Sequence, residues 1–171
     1  ERELWVVGVG PGAADQLTPA ASAVLARAGC VVAAPRHANL AGAHPNIVLL
    51  KGIPETLDRV ERELERGSVA VLVSGDPGIY SLLPVLKRRW PGRNVRVVPG
   101  IGALQSLCAA AGEAWDDAAI LSGHGRPLTA ARFLTVVERR RLTVLFCGGD
   151  RTPRWACEAL AGAVGGLGAR V

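Results

Sequence analysis

An α/β fold made of two units of mostly parallel sheet flanked by helices is predicted by three observations. Short apolar runs alternate with helix-length segments, several of those runs end in glycine-rich turns, and the alternation restarts after residue 117. The first strand is Leu4 to Val9, emptying into Gly8-Val9-Gly10-Pro11-Gly12. Thr18-Pro19 then offers a capping hydroxyl followed by proline at the first helical position, where a missing N–H is harmless, so a helix runs to about Ala28 and stops at Gly29. Strands follow at Cys30 to Ala33 and Ile47 to Leu49, and a helix opened by Pro54 ends at Gly67. The β-rich run Val69 to Val73 feeds Ser74-Gly75-Asp76-Pro77-Gly78, after which a helix is expected from Ile79 to Trp90, ended by Pro91-Gly92. A strand at Val95 to Val98 leads into Pro99-Gly100-Ile101-Gly102 and a helix from Ala103 to Ala111, closed by Gly112.

These elements fill a first domain, 1–113, and Trp115-Asp116-Asp117 marks a linker at 114–117. The second domain, 118–171, begins with a strand from Ala118 to Leu121, the loop Ser122-Gly123-His124-Gly125-Arg126-Pro127 and a helix from Thr129 to about Arg140. A strand from Leu142 to Phe146, the loop Cys147-Gly148-Gly149-Asp150-Arg151 and a helix from Thr152-Pro153 to about Ala163 follow, with a further strand expected from Ala169. Two strands and the start of a third make a partial sheet, so this domain is expected to be incomplete.

Composition narrows the function classes. With 171 residues, 49% hydrophobic and 20% charged, the chain can bury a substantial core and is not of the disordered class. No window approaches the ~20 apolar residues of a membrane span, and Glu1-Arg2-Glu3-Leu4-Trp5 lacks the order of a secretory signal, so a cytoplasmic protein without membrane attachment is expected. Cys30, Cys108, Cys147 and Cys157 form no C-x-x-C, which speaks for buried free thiols rather than a zinc or redox site. His44 shares no ligand spacing with a cysteine or carboxylate cluster, so no protein-bound metal is expected. The net charge of +5 is carried almost wholly by arginine, Lys51 and Lys87 being the only lysines. Arginine forks suit carboxylates and phosphates. Some belong to solvated helix faces, as the i,i+4 pattern of Glu61, Arg62, Glu65 and Arg66 illustrates. With only two Phe and one Tyr beside four Trp, stacking platforms for single-stranded nucleic acid are sparse, and no nucleic-acid partner is expected.

Three glycine-rich strand ends imply one shared crevice, although any one of them alone reads more readily as a tight turn. Gly8-x-Gly10-x-x-Ala13 nominally fits a dinucleotide fingerprint. In that motif, however, the helix starts inside the loop and an acid follows the second strand. Here Pro11 removes a donor, the helix starts only at Thr18, and the second strand ends at Ala34-Pro35-Arg36. Nicotinamide binding is therefore disfavoured, and no loop carries the Gly-Lys-Ser/Thr ending of a P-loop.

Val7-Gly8-Val9-Gly10-Pro11-Gly12 with Leu17-Thr18, then Ser74-Gly75-Asp76-Pro77, then Val98-Pro99-Gly100-Ile101, in this order, resemble the tetrapyrrole methylase family over nearly the whole chain. Ala34-Pro35-Arg36-His37 and Ser122-Gly123-His124-Gly125-Arg126 resemble its precorrin-6Y and precorrin-7 C5-methyltransferase branch. The resemblance implies an S-adenosylmethionine-dependent enzyme with two α/β domains, usually a homodimer, that methylates C5 of precorrin-7 or its cobalt form. A fused or separate decarboxylating methyltransferase is an implied partner. Carried over by position, Pro11 borders the cofactor cleft, Ser74, Gly75 and Asp76 contact the cofactor, and Ile79 packs beside it. Gly102 and Ala103 stand where many members have Thr-Ala or Thr-Ser, so a hydroxyl contact is lost at Gly102. Cys147, at a strand end of the second domain, aligns near the cofactor.

Methyl transfer from a sulfonium is an in-line displacement that rewards alignment, after which a proton must leave the macrocycle. His124 and His37 are the candidate proton handlers, because imidazole titrates near neutrality. The alternatives are a loop hydrogen bond for His124 and an exposed loop position for His37. Arg36 and Arg126 are candidates for binding substrate carboxylates, against a plain surface role. Asp76 could orient its own loop through an Asx-type bond. Competing functions are uroporphyrinogen III methylation, methylation of an RNA or protein by a relative of the same fold, a non-catalytic nucleotide-binding module and a nicotinamide-dependent oxidoreductase.

Overall fold

The computed structural model describes residues 2–168, so the strand expected from Ala169 lies outside the described residues. Two compact units divide it, Glu1–Leu107 and Cys108–Val171. In the first, β1 (Leu4–Gly8), β2 (Cys30–Ala33), β3 (Ile47–Leu49), β4 (Val69–Val73) and β5 (Val95–Val98) form one parallel sheet in the order β3-β2-β4-β1-β5. Helix α1 (Pro19–Arg27) links β1 to β2, α2 (Ile53–Arg66) links β3 to β4, and α3 (Leu83–Arg89) links β4 to β5.

The chain thus steps one way across the sheet from β1 to β3 and the other way from β3 to β5. Right-handed crossovers put connections of opposite direction on opposite faces, and the alternation of the strands records both. Trp5, Val7, Val31, Ala33, Ala70 and Leu72 pack with Ala21, Val24 and Leu25 of α1. Leu4, Val6, Cys30, Val32, Val69, Val71 and Val73 pack with Val60 and Leu64 of α2 and Leu86 of α3. Central strands buried on both faces read as unbroken apolar runs, which is why β1 and β4 were so legible. The reversal of direction between the neighbours β1 and β4 is a topological switch point, where parallel sheets open a crevice at their carboxyl ends.

Local chemistry sets the helix ends. The Ala21 amide donates to Thr18 Oγ1 at 3.1 Å, as the capping pair predicts. The third helix is shorter than the expected Ile79 to Trp90, because Tyr80 takes φ +47° and Pro84 can stand only in a first turn. The Ser81 hydroxyl fills the gap by donating to the Pro77 carbonyl at 2.5 Å and accepting the Leu83 amide at 3.1 Å. Residues Pro35–Ala41 form a 3-10 segment, and its His37 is only 4% exposed, not the open loop position the sequence allowed. Glu63, 3% exposed, is held by Arg59 and Arg66 at 3.1 Å each, and burial with that carboxylate nearby pushes the Cys30 thiol up to about 11. Cys30 and Cys108 are buried as expected, whereas Cys147 and Cys157 are exposed.

The second unit contains the parallel pair β6 (Ala119–Ser122) and β7 (Thr143–Phe146), with α5 (Ala130–Arg139) between them and α6 (Pro153–Gly168) after. The helix α4 (Ala103–Ala111) precedes β6 in the chain. Leu121, Leu128 and Phe133 are the centre of its core, with Phe133 and Trp155 rings 5.4 Å apart. Thr129 and Thr152 cap α5 and α6 through Arg132 and Trp155 amides at 3.2 and 3.1 Å. Among the described residues no helix is long and apolar enough to cross a membrane.

At the carboxyl edge of the first sheet, backbones touch where a side chain has no room. A Cβ on Gly100 would strike the Gly75 carbonyl oxygen, with Gly8 C at 2.7 Å and Gly8 O at 2.8 Å. Backbone neighbours cannot yield as a side chain does, so Gly100→Ala is expected to destabilise the chain by about 2 kcal/mol or more in urea unfolding. Gly92→Ala, which meets nothing within 4 Å, should be neutral or stabilising by up to about 1 kcal/mol. Equal midpoints for the two variants would show that the glycine contact is not under constraint.

Candidate functional site

The three glycine loops converge at that edge because the strands preceding them are neighbours in the sheet, β4 beside β1 and β1 beside β5. The ladder of β1 and β4 runs on past the strands. The Val9 amide donates to Val73 O at 3.0 Å, the Gly75 amide to Gly10 O at 2.8 Å, and the Gly10 amide to Gly75 O at 3.3 Å. Gly75 sits at φ +62°, a conformation that side chains disfavour, and a Cβ there would stand 3.2 Å from Gly102 Cα. Asp76 closes the third side. Its Oδ1 accepts the Gly78 amide at 2.7 Å and its Oδ2 accepts the Gly100 amide at 3.2 Å. The first of these is the Asx-type turn the sequence allowed; the second staples the β4 loop to the β5 loop, a job no sequence spacing announced.

Arg36 and His37 reach this edge through β2, which pairs with β4 in register Cys30 to Val69, Val31 to Ala70 and Val32 to Val71. The residues following both strands are therefore adjacent. Arg36 Nη2 donates to Ser74 Oγ at 2.9 Å, Arg36 Nε donates to His37 Nε2 at 3.2 Å, and His37 Nε2 lies 2.8 Å from Ser74 Oγ. Since Nε2 accepts from Arg36, it carries no proton. The Nδ1–H tautomer fits that contact, and in it the Ser74 hydroxyl shares the Nε2 lone pair with Arg36 as a second donor. The cost is visible: Nδ1 is buried without a hydrogen-bond partner, an arrangement worth about 1–3 kcal/mol against the fold. Burial first, and the Arg36 charge second, lower the His37 pKa from its ordinary value, which keeps the ring neutral.

Of the residues singled out in sequence, Pro11, Ser74, Gly75, Asp76, Gly102 and Ala103 lie on the three loops or directly after them, and Arg36 with His37 joins them. Ser74, Pro11 and Ala103 are exposed, Ile79 is half-buried and Gly102 is buried. Gln105 was missed. Its Oε1 takes the space of a side chain at 102, where a Cβ would be 2.6 Å away, and is buried without a hydrogen-bond partner. The space beside Gly102 is thus filled by the side-chain carbonyl oxygen of Gln105.

The second unit has its own strand-end cluster. His124 is exposed, its amide donates to Ser122 Oγ at 3.2 Å, and its ring lies against Gly148, where a Cβ would be 2.5 Å from Nδ1. Arg151 Nε donates to Leu128 O at 2.6 Å, and its guanidinium stacks 5.0 Å over the Trp155 ring. Arg126 is exposed on the same loop as His124, and Cys147 is exposed at the end of β7. Among the described residues, no group of three or more His, Cys, Asp or Glu is arranged to hold a metal ion.

A surface cavity of about 280 Å³ lies elsewhere, between β3 and α2, lined among others by Lys51, Glu55, Arg59 and Arg62. It shares no residue with the three loops. The loops are the better candidate, because backbone crowding and a positive-φ glycine there meet the buried, unpartnered atoms of His37 and Gln105.

Comparison with known proteins agrees with this architecture. Residues 3–171 match the family of tetrapyrrole (corrin/porphyrin) methylases. The chain is 34% identical over 125 residues to a cobalt-precorrin-7 C(5)-methyltransferase of Salmonella typhimurium, covering 72% of this chain and 62% of that protein. It is 31% identical to a decarboxylating precorrin-6Y C(5,15)-methyltransferase of Sinorhizobium sp, covering 98% of this chain and 44% of that one. The chain therefore spans less than two thirds of the length of these relatives. A solved precorrin-6Y methylase of Archaeoglobus fulgidus superposes with a TM-score of 0.71 at 22% identity, over 88% of this chain and 76% of that one, a likeness of fold. With a match over nearly its whole length and these relatives beside it, the chain belongs to the tetrapyrrole (corrin/porphyrin) methylases.

Proposed function

We propose that this chain is an S-adenosylmethionine-dependent C-methyltransferase of cobalamin biosynthesis that methylates C5 of precorrin-7 or cobalt-precorrin-7. The observation that carries the reading is the joining of three glycine loops at the switch point of a parallel sheet, in a chain similar to enzymes named for C5 methylation. The polar atoms there suit a nucleoside. Asp76 spends both carboxylate oxygens on amides of its own loops, leaving the hydroxyl of the exposed Ser74 as a neutral acceptor beside them.

When bound, S-adenosylmethionine supplies a methyl group on a sulfonium. The residues of the chain hold and align. Pro11, Ser74, Gly75, Asp76, Ile79, Gly102 and Ala103 of the first unit would seat the cofactor. Arg36 and Arg126 are assigned to acidic side chains of the tetrapyrrole. His124, which is exposed, is the better of the two candidates for taking up the departing proton, since His37 Nε2 is committed to Arg36 and Ser74. The reading extends to a cytoplasmic homodimer. Its partner is a decarboxylating methyltransferase activity, fused or separate, as the name of the Sinorhizobium relative joins the two.

Calorimetric titration with S-adenosylhomocysteine beside NADH tests the class. Saturable binding of the first alone is expected; binding of NADH alone would refute the proposal. Gly75→Val should weaken S-adenosylhomocysteine binding at least about tenfold with an unchanged far-UV spectrum, because a β-branched residue at φ +62° displaces the loop. Unchanged affinity would remove Gly75 from the site. A pH dependence follows from His37. Its unfolded form takes up a proton near pH 6.5, before the folded form does, so the unfolded state binds more protons below that value. The stabilisation is complete above about pH 6.5 and is lost as the pH falls below it; His37→Gln should flatten this part of the denaturation profile, and an unchanged profile would contradict the buried neutral ring.

A further inference from the structure

We infer that His37 is a positioning residue that makes the Ser74 hydroxyl a hydrogen-bond acceptor only, so that the group seated on Ser74 is a neutral donor, a ribose hydroxyl of the nucleoside. The inference rests on the cofactor reading above and deepens it. Three contacts carry it. Arg36 Nε donates to His37 Nε2 at 3.2 Å, which excludes a proton from that nitrogen. Ser74 Oγ, 2.8 Å from the same nitrogen, must then be the donor of that bond, and its only hydrogen is spent. Arg36 Nη2, 2.9 Å from Ser74 Oγ, takes one of its two lone pairs. One lone pair remains, on a residue that is exposed at the mouth of the β4 loop. An incoming carboxylate or carbonyl oxygen finds no hydrogen there, and an incoming ammonium meets the Arg36 guanidinium beside the oxygen. A hydroxyl suits both constraints.

The buried, unpartnered Nδ1 is the second sign that the arrangement is held for a purpose. The opposite tautomer would put the proton on Nε2, turn the Ser74 hydrogen outward and set two donors, Arg36 Nε and Nε2–H, against each other. Arg36 thus selects the tautomer, the tautomer selects the direction of the Ser74 hydroxyl, and that direction selects the ligand group. None of the three residues could do this alone.

Two measurements on the intact chain test it. A long-range ¹H–¹⁵N correlation of the histidines should show His37 protonated at Nδ1 and bare at Nε2; a proton on Nε2 would overturn the inference. Calorimetry should compare the natural chain with Ser74→Ala, His37→Gln and His37→Leu, each titrated with S-adenosylhomocysteine and with its 2′-deoxy and 3′-deoxy analogues. Ser74→Ala is expected to weaken S-adenosylhomocysteine about threefold to tenfold, the worth of one hydrogen bond, and to leave the affinity for one of the deoxy analogues unchanged. His37→Gln, whose Oε1 can accept in place of Nε2, should stay within about twofold of the natural chain, while His37→Leu should behave as Ser74→Ala. Equal losses for S-adenosylhomocysteine and both analogues, or no loss in Ser74→Ala or His37→Leu, would overturn the inference and leave the cofactor reading standing. Failure of the natural chain to bind S-adenosylhomocysteine would defeat the cofactor reading and this inference with it.

Discussion

At the carboxyl edge of the five-stranded sheet, the backbones of Gly8, Gly75 and Gly100 meet with no side chain between them, and that contact fixes where every other group of the first unit's candidate site can stand. The contact is possible only because β1 lies between β4 and β5, ending level with β4 and within one residue of β5. Once the three loops touch, the amides of Gly10 and Gly75 exchange hydrogen bonds, and Asp76 reaches both Gly78 and Gly100. A carboxylate that holds two amides is stiff and charge-compensated. It ties two loops into one surface while withdrawing its own charge from any ligand.

The Arg36, His37 and Ser74 cluster is the polar counterpart of that glycine contact. It depends on a different neighbour relation, β2 beside β4, so the two features together use four of the five strands. A neutral, buried imidazole between a guanidinium and a hydroxyl is a poor proton acceptor, since burial and the adjacent cation both oppose its charged form. As a fixed acceptor it is well made, because burial and the Arg36 charge favour its neutral form. The unpaired Nδ1 records what this arrangement costs in stability, in the way that buried unsatisfied groups gather at functional sites.

Much of this was legible in the chain itself. Apolar runs buried on both faces gave the central strands, Thr18-Pro19 gave the start of α1 to the residue, and the glycines after β1, β4 and β5 pointed to one crevice. What stayed hidden was mostly non-local. Nothing in the sequence states that β4 lies between β2 and β1, so the meeting of His37 with Ser74, 37 residues apart, could not be read. The late start of α3 was a local miss: Pro84 forbids a helix running through Tyr80, whereas the expected helix runs from the end of the glycine loop to Pro91-Gly92 and takes no account of it. Gln105 went unnoticed because its role exists only where Gly102 leaves a space.

The central claim is that three loops of the first unit act as one platform for one ligand. The most direct test is to follow backbone amide resonances of the isotope-labelled chain while S-adenosylhomocysteine is added. The amides of Gly10, Gly75, Asp76, Gly100 and Gly102 are expected to shift together along a single saturation curve. Shifts confined to one loop, or centred on the cavity between β3 and α2, would contradict it.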